Sequence, residues 1–269
     1  MHSPLEYTGE RMVPEAADVD IFWEHVYRYR FAAKFAKGMR VLDVACGEGY
    51  GSCALAKAGA ASVVGVDISE EAVKHAKNKY GVDARVGDAS RLPIDDSSID
   101  LLVSFETIEH VPNPDRFLDE CRRVIATQGI AVISTPNKQA YSENYDNPFH
   151  CSEMTRNEFH ARLNSRFKDI RMMTQCPFFA PWWSLRWGAA ITSSAFEIRG
   201  MGRLRNMLRT LLCPETKQVP SMEKREFMSS IILASDRPGA SMVNRYALRP
   251  EPSFEGERPR YLIAVARPL

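Results

Sequence analysis

The sequence has 269 residues, 45% hydrophobic and 26% charged, with a formal net charge of +1. That length suits one large domain, or one domain carrying an insertion, and the composition is ordinary for a globular chain. The near-neutral charge is no electrostatic footprint for a long polyanion, so nucleic acid is not an expected partner. Apolar runs fall short of the ~18 residues needed to cross a bilayer. Residues 1–6 lack the basic-then-apolar pattern of a signal peptide, and the six cysteines form no C-x-x-C pair, which argues against a disulfide framework or zinc ribbon. A reducing cytoplasm is the expected compartment.

Residues 1–20 are polar and irregular, and residues 21–37 carry apolar groups at helical spacing before Gly38, a stop signal. Strand and helix then alternate. Arg40–Val44 reads as a strand and Tyr50–Ala58 as a helix ended by Gly59. Val63–Asp67 is a strand, and a helix follows with Ser69 as N-cap and Glu70 and Glu71 in its first turn, stopping near Tyr80–Gly81. Ala84–Val86 and Ile99–Phe105 are the next strands. Asn113–Pro114 opens a helix whose apolar face is Phe117, Leu118, Cys121, Val124 and Ile125. Gly129 is expected to introduce the strand Ile130–Ser134, with a helix over Thr155–Asn164 and a strand over Phe167–Thr174 after it. Such alternation predicts an α/β fold, a doubly wound, mostly parallel sheet with helices on both faces.

Residues 177–259 break the pattern. They hold Trp182, Trp183 and Trp187, Arg199, Arg203, Arg205 and Arg209, and a strand-like run at Phe227–Ala234. They read as an inserted lid and substrate region, helical over 177–225. The tryptophans suit either lid core or stacking on a sugar. The arginines suit a solvated helix face, a phosphate or a peripheral membrane contact. Tyr261–Ala266, within 260–269, is expected to be the closing strand. Residues 1–37 form an N-terminal cap segment and helix, and 38–176 the core.

The first strand runs into Asp43-Val44-Ala45-Cys46-Gly47-Glu48-Gly49-Tyr50-Gly51. A dinucleotide fingerprint G-x-G-x-x-G would need a glycine where Ser52 stands, so that template fails. The pattern acidic–x–small–x–Gly–x–Gly resembles motif I of the class I S-adenosylmethionine-dependent methyltransferases, and the resemblance extends over roughly residues 38–175. It implies a Rossmann-like seven-stranded sheet and S-adenosylmethionine as cofactor. It also implies cofactor contacts from Asp43, Ala45, Gly47, Gly49, Asp67, Ile68, Asp88, Ala89 and Phe105, with Asp67 on the ribose hydroxyls and Asp88 near the adenine. Glycine is usual in that family where Ala45 stands; alanine is tolerable there if φ stays negative.

A second cluster is Phe105-Glu106-Thr107-Ile108-Glu109-His110. One helical turn after the strand would put Glu106, Glu109 and His110 on one face, and crowded carboxylates repel unless a cation or proton lies between them. Glu-x-x-Glu-His resembles the motif of quinone-pathway O-methyltransferases and of small-RNA 2′-O-methyltransferases. The second group implies a further histidine, here His150, before Thr155-x-x-x-Phe159. The resemblance thus implies Glu106, Glu109, His110 and His150 as ligands of a divalent cation, Mg²⁺ or Mn²⁺. Glu106, His110 and His150 are the candidate catalytic residues, and without a metal His110 or His150 would act as general base.

The start, Tyr7-Thr8-Gly9-Glu10-Arg11, resembles a leader of bacterial members linked to surface sugars, with Arg11 or Arg28 able to pair with the cofactor's carboxylate. The expected activity is O-methylation of a vicinal diol on a sugar, glycan precursor or glycosylated metabolite. A catechol or phenol acceptor, RNA 2′-O-methylation and a non-catalytic cofactor-binding module are the alternatives. Oligomeric state is not encoded in any motif.

Overall fold

The computed structural model describes residues 12, 19–141, 147–175, 248–250 and 259–269. The expected lid at 177–225, its tryptophans and arginines, the run Phe227–Ala234 and the leader Tyr7–Arg11 lie outside the described residues.

Helix α1 spans Val19–Ala36, and Gly38 at φ 75° lets the chain reverse into β1, Arg40–Val44. There follow α2 (Tyr50–Lys57), β2 (Ser62–Asp67), α3 (Glu70–Tyr80), β3 (Asp83–Val86) and β4 (Ile99–Ser104). A 3₁₀ turn covers Ile108–His110, then come α4 (Pro114–Val124), β5 (Ile125–Pro136) and α5 (Lys138–Tyr141). The described chain ends with α6 (Arg156–Asn164), β6 (Phe167–Gln175), the two-residue β7 (Arg249–Pro250) and β8 (Tyr261–Pro268). The expected caps form: Ser69 Oγ accepts from Ala72 N, Asn113 Oδ1 accepts from Arg116 N, and Thr155 and Glu158 close a capping box.

The sheet order is β3-β2-β1-β4-β5-β8-β6-β7, seven principal strands plus the short β7. The first five run parallel, whereas β8 is antiparallel to both β5 and β6 and so lies inside the sheet. Alternate residues feed two cores, as the two-residue period of a strand requires. Leu42, Leu102 and Ile133 pack with Phe117, Phe159 and Phe167 on one face; Val41, Leu101 and Val132 pack with Phe22, Val26 and Ala32 of α1 on the other.

One boundary differs from the sequence expectation. Strand β5 begins at Ile125 instead of after Gly129, because the chain stays extended after α4 and Ile125 pairs with Ile99 before a register shift. Gly129 sits inside the strand, where a Cβ would lie 2.5 Å from Ile125 Cγ2. The chain crosses from β3, on one edge, to β4 beside β1, so strand order reverses between β1 and β4. A crevice opens at such a reversal, outside the carboxyl ends of the strands. Among the described residues no helix is long and apolar enough to cross a membrane.

Candidate functional site

The carboxyl ends of β1, β2, β3 and β4 surround one cavity of about 880 Å³. Its wall includes Ala45, Gly47, Asp67, Ile68, Asp88, Ala89, Phe105, Glu106 and His110. Four other residues singled out in the sequence, Asp43, Gly49, Glu109 and His150, are not on that wall.

The glycine turn explains part of this division. A Cβ on Gly47 (φ 53°) would meet nothing within 4 Å, so its bare backbone faces ligand space. Gly49 (φ 87°) is needed for packing, since a Cβ there would lie 2.6 Å from Ala76 Cβ of α3. Ala45 departs from expectation: its φ is +57°, the left-handed region that a side chain disfavours, so the condition of a negative φ is not met. Asp67 Oδ2 accepts from Gly47 N at 2.8 Å and Oδ1 from Ser69 N at 2.9 Å. Two backbone donors thus fix its carboxylate at the cavity. Asp88 is held similarly, its Oδ1 accepting from Ser90 N at 2.7 Å. Ile68 is 70% exposed, an apolar surface offered to the opening.

Asp43 lies fully buried under the turn, where its carboxylate accepts from Ser52 Oγ at 2.7 Å and from Tyr29 OH at 3.1 Å. Burial pushes its pKa up to about 7, against the pull of those two hydroxyls. Tyr29 is clamped over the same turn: a Cβ on Gly51 would meet its ring at 2.0 Å.

Sequence reasoning missed the contribution of α1 and of Met12 before it. Met12, His25 and Tyr29 line the cavity with Tyr50 from the start of α2. His25 Nδ1 lies 2.9 Å from Tyr50 OH, and burial, aided by Arg28, lowers the histidine's pKa well below its usual value, leaving a neutral imidazole. The available signal was the i, i+4 spacing of His25 and Tyr29 on one helical face, which reads equally as core. Arg28 does not line the cavity; its partners are protein groups.

The second cluster is split. Glu106 has φ 53°, so the chain does not roll into one helical turn and the shared face expected for Glu106, Glu109 and His110 does not form. Instead Glu106 N donates to Ser134 Oγ at 3.2 Å, Ser134 Oγ donates back to Glu106 Oε1 at 2.6 Å, and Arg28 Nη1 lies 3.8 Å from Oε1. Glu106 is not part of the cluster that the histidines form. Glu109, His110 and His150 do come together, with one ligand atom of each within 4.8 Å of the others.

The donor set fits a cation. His110 Nδ1 faces Phe149 O at 3.0 Å and His150 Nδ1 faces Glu153 Oε1 at 2.6 Å. These contacts assign the ring hydrogens to Nδ1 and the lone pairs to Nε2, the usual outer support of metal-bound histidines. Asn147 Nδ2, 2.9 Å from His150 Nε2, occupies that lone pair here. Glu109 is fully buried, with Oε2 accepting from Thr135 Oγ1 at 3.2 Å and Oε1 without a hydrogen-bond partner, 4.0 Å from His110 Nε2. Burial, then the charge of Glu106, raises the Glu109 pKa well above the carboxylate range. The loop carrying His150 is fastened to the cluster, as Cys151 N and Ser152 N both donate to Glu109 O.

Comparison with known proteins finds relatives of the core. Residues 42–133 match the family model described as a methyltransferase domain. A probable S-adenosylmethionine-dependent methyltransferase of Mycobacterium tuberculosis is 36% identical over 175 residues, covering 62% of this chain and 63% of that protein. The chain therefore spans less than two thirds of that relative's length. A ubiquinone biosynthesis O-methyltransferase of Coxiella burnetii is 39% identical over 107 residues, covering 38% of this chain and 45% of that protein. Among solved structures, a possible histamine N-methyltransferase from Thermotoga maritima superposes with a TM-score of 0.56 at 16% identity, over 96% of each chain. That likeness concerns the fold. The core thus resembles a methyltransferase domain over residues 42–133.

Proposed function

We propose that this chain is an S-adenosylmethionine-dependent O-methyltransferase that acts on a vicinal diol of a sugar or glycosylated metabolite, assisted by a divalent ion held by Glu109, His110 and His150. The observation that carries the reading is that one cavity joins the Gly47–Asp67 turn to His110. Asp67, pinned by Gly47 N and Ser69 N, keeps lone pairs for ribose hydroxyls. Ile68 and Ala89 supply apolar wall for a purine, and Gly47 lets the ligand approach the backbone. His110 is the member of the histidine–carboxylate cluster that reaches the wall. With Nδ1 tied to Phe149 O, its Nε2 is the proton acceptor when no ion is present.

Bound at this cluster, a divalent ion would orient neighbouring hydroxyls and lower their pKa. Glu106, committed to Ser134 and Arg28, drops out of the ligand set, leaving two imidazoles and one carboxylate. That set favours Mn²⁺, Fe²⁺, Co²⁺ or Zn²⁺ over Mg²⁺, which prefers oxygen donors. A catechol acceptor is the second reading, favoured by similarity to the Coxiella burnetii O-methyltransferase. The net charge of +1 gives no support to an RNA acceptor.

The test is to incubate the chain with S-adenosylmethionine and panels of sugar diols and catechols, and to measure S-adenosylhomocysteine released. Turnover should fall on chelation and return with Mn²⁺ more fully than with Mg²⁺. Full turnover in excess chelator would remove the ion from the reading, and methylation of catechols alone would replace the sugar acceptor.

A further inference from the structure

Arg28 is the largest fully buried side chain among the described residues, yet its guanidinium is permanently charged. Such burial is costly unless the charge is compensated. Arg28 Nη1 donates to Gln175 Oε1 at 3.1 Å, lies 3.8 Å from Glu106 Oε1, and the guanidinium stacks 4.5 Å over the Tyr261 ring. A second acid, Glu24, is also buried beside Arg28 and is shared with Arg260, whose Nη1 lies 3.5 Å from Glu24 Oε1. Of the two acids beside Arg28, Glu106 is the one that lines the cavity, while Glu24 and Arg28 do not.

The location gives this pair a consequence for the reaction. In methyl transfer the sulfur–carbon bond breaks with its electron pair left on sulfur. An acceptor oxygen forms the new carbon–oxygen bond and gives its proton to the base described above. The donor is a sulfonium cation and its product a neutral thioether. An uncompensated carboxylate at the cavity would stabilise the cation before transfer more than the transition state, in which that charge is dispersing, and would slow the step.

We propose that buried Arg28 is a positioning residue that compensates the charge of Glu106 at the cavity and thereby sets how strongly the site prefers the sulfonium donor over its neutral product. The inference rests on the methyltransferase reading above. Ser134 completes the device: bonded to both the main chain and the carboxylate of Glu106, it holds the left-handed turn that aims Oε1 at Arg28. A merely structural Arg28, tying α1 to β6 and β8, would affect both ligands alike.

The experiment measures dissociation constants of S-adenosylmethionine and S-adenosylhomocysteine by calorimetry for the full chain, Arg28→Gln, Arg28→Lys, Glu106→Gln and the double variant Arg28→Gln/Glu106→Gln. Arg28→Gln should shift the preference toward the sulfonium by about tenfold while kcat falls. Arg28→Lys should keep the wild-type preference, Glu106→Gln should shift it toward the thioether, and the double variant should restore it. Affinities for both ligands moving together in every variant would overturn the proposal. If Arg28→Gln does not fold, Glu106→Gln decides alone: a shift toward the thioether supports the proposal and an unchanged preference overturns it. A wild-type chain that binds neither ligand would overturn the methyltransferase reading itself, and this inference with it.

Discussion

The turns after β1 and β2 meet the cavity with backbone: Gly47 is bare, and Asp67 is positioned by two main-chain N–H groups. The turn after β4 meets it with side chains that constrain one another, Glu106 with Ser134 and Arg28, and His110 with Glu109 and His150. The first region is built from near neighbours in sequence, the second from residues on α1, β4, β5 and the loop before α6. Under the proposed function, a backbone cradle would tolerate many acceptors because it would grip only the shared cofactor. A side-chain cluster is where one reaction is separated from another.

Four substitutions break or sharpen this contrast. His110→Ala should lower turnover by about 10²–10⁴-fold while leaving S-adenosylmethionine affinity nearly intact, read by steady-state kinetics beside calorimetry; equal losses would merge the two regions into one. Asp43→Asn tests the charge under the glycine turn through stability against pH. Its folded pKa, raised from 3.8 to about 7, means the folded state holds an extra proton between those values. The ligand-free chain should therefore lose stability from this group as pH rises from 4 to 7, and the asparagine variant should show a flatter profile in thermal melts. Asp67→Ala should weaken cofactor binding by ~1–3 kcal/mol with kcat little changed at saturation, and an unaltered dissociation constant would detach Asp67 from the cofactor. Ser69→Ala removes only the N-cap of α3 and should cost ~1 kcal/mol in denaturant unfolding, with turnover untouched.

The same contrast marks what could be read in the chain beforehand. The strand-to-helix alternation through β4, the caps at Ser69, Asn113 and Thr155, and the residues around Gly47 and Asp67 follow local rules, and they stand where those rules put them. Ala45 resisted because its left-handed φ is imposed by the turn as a whole and not by its own preference. Glu106 resisted too: its spacing to Glu109 and His110 predicts a shared face, but its φ is positive and its carboxylate meets Ser134 and Arg28, both far away in sequence. His25 and Tyr29 look like core residues of an amphipathic helix until the fold lays α1 across the cavity. His150 was reachable only through the family resemblance, since its partners Asn147 and Glu153 form no motif of their own.

The interior place of β8 carries a consequence for how the protein is made. Strands β5 and β6 follow one another in the chain but meet only through β8, so the sheet stays divided until residues 261–268 have been synthesised. Tyr261, which stacks on Arg28, is the first residue of that strand, so α1 gains this partner only when β8 joins. Until that strand arrives, the facing edges of β5 and β6 lack the partner that joins them among the described strands, and Arg28 lacks the ring stacked on it.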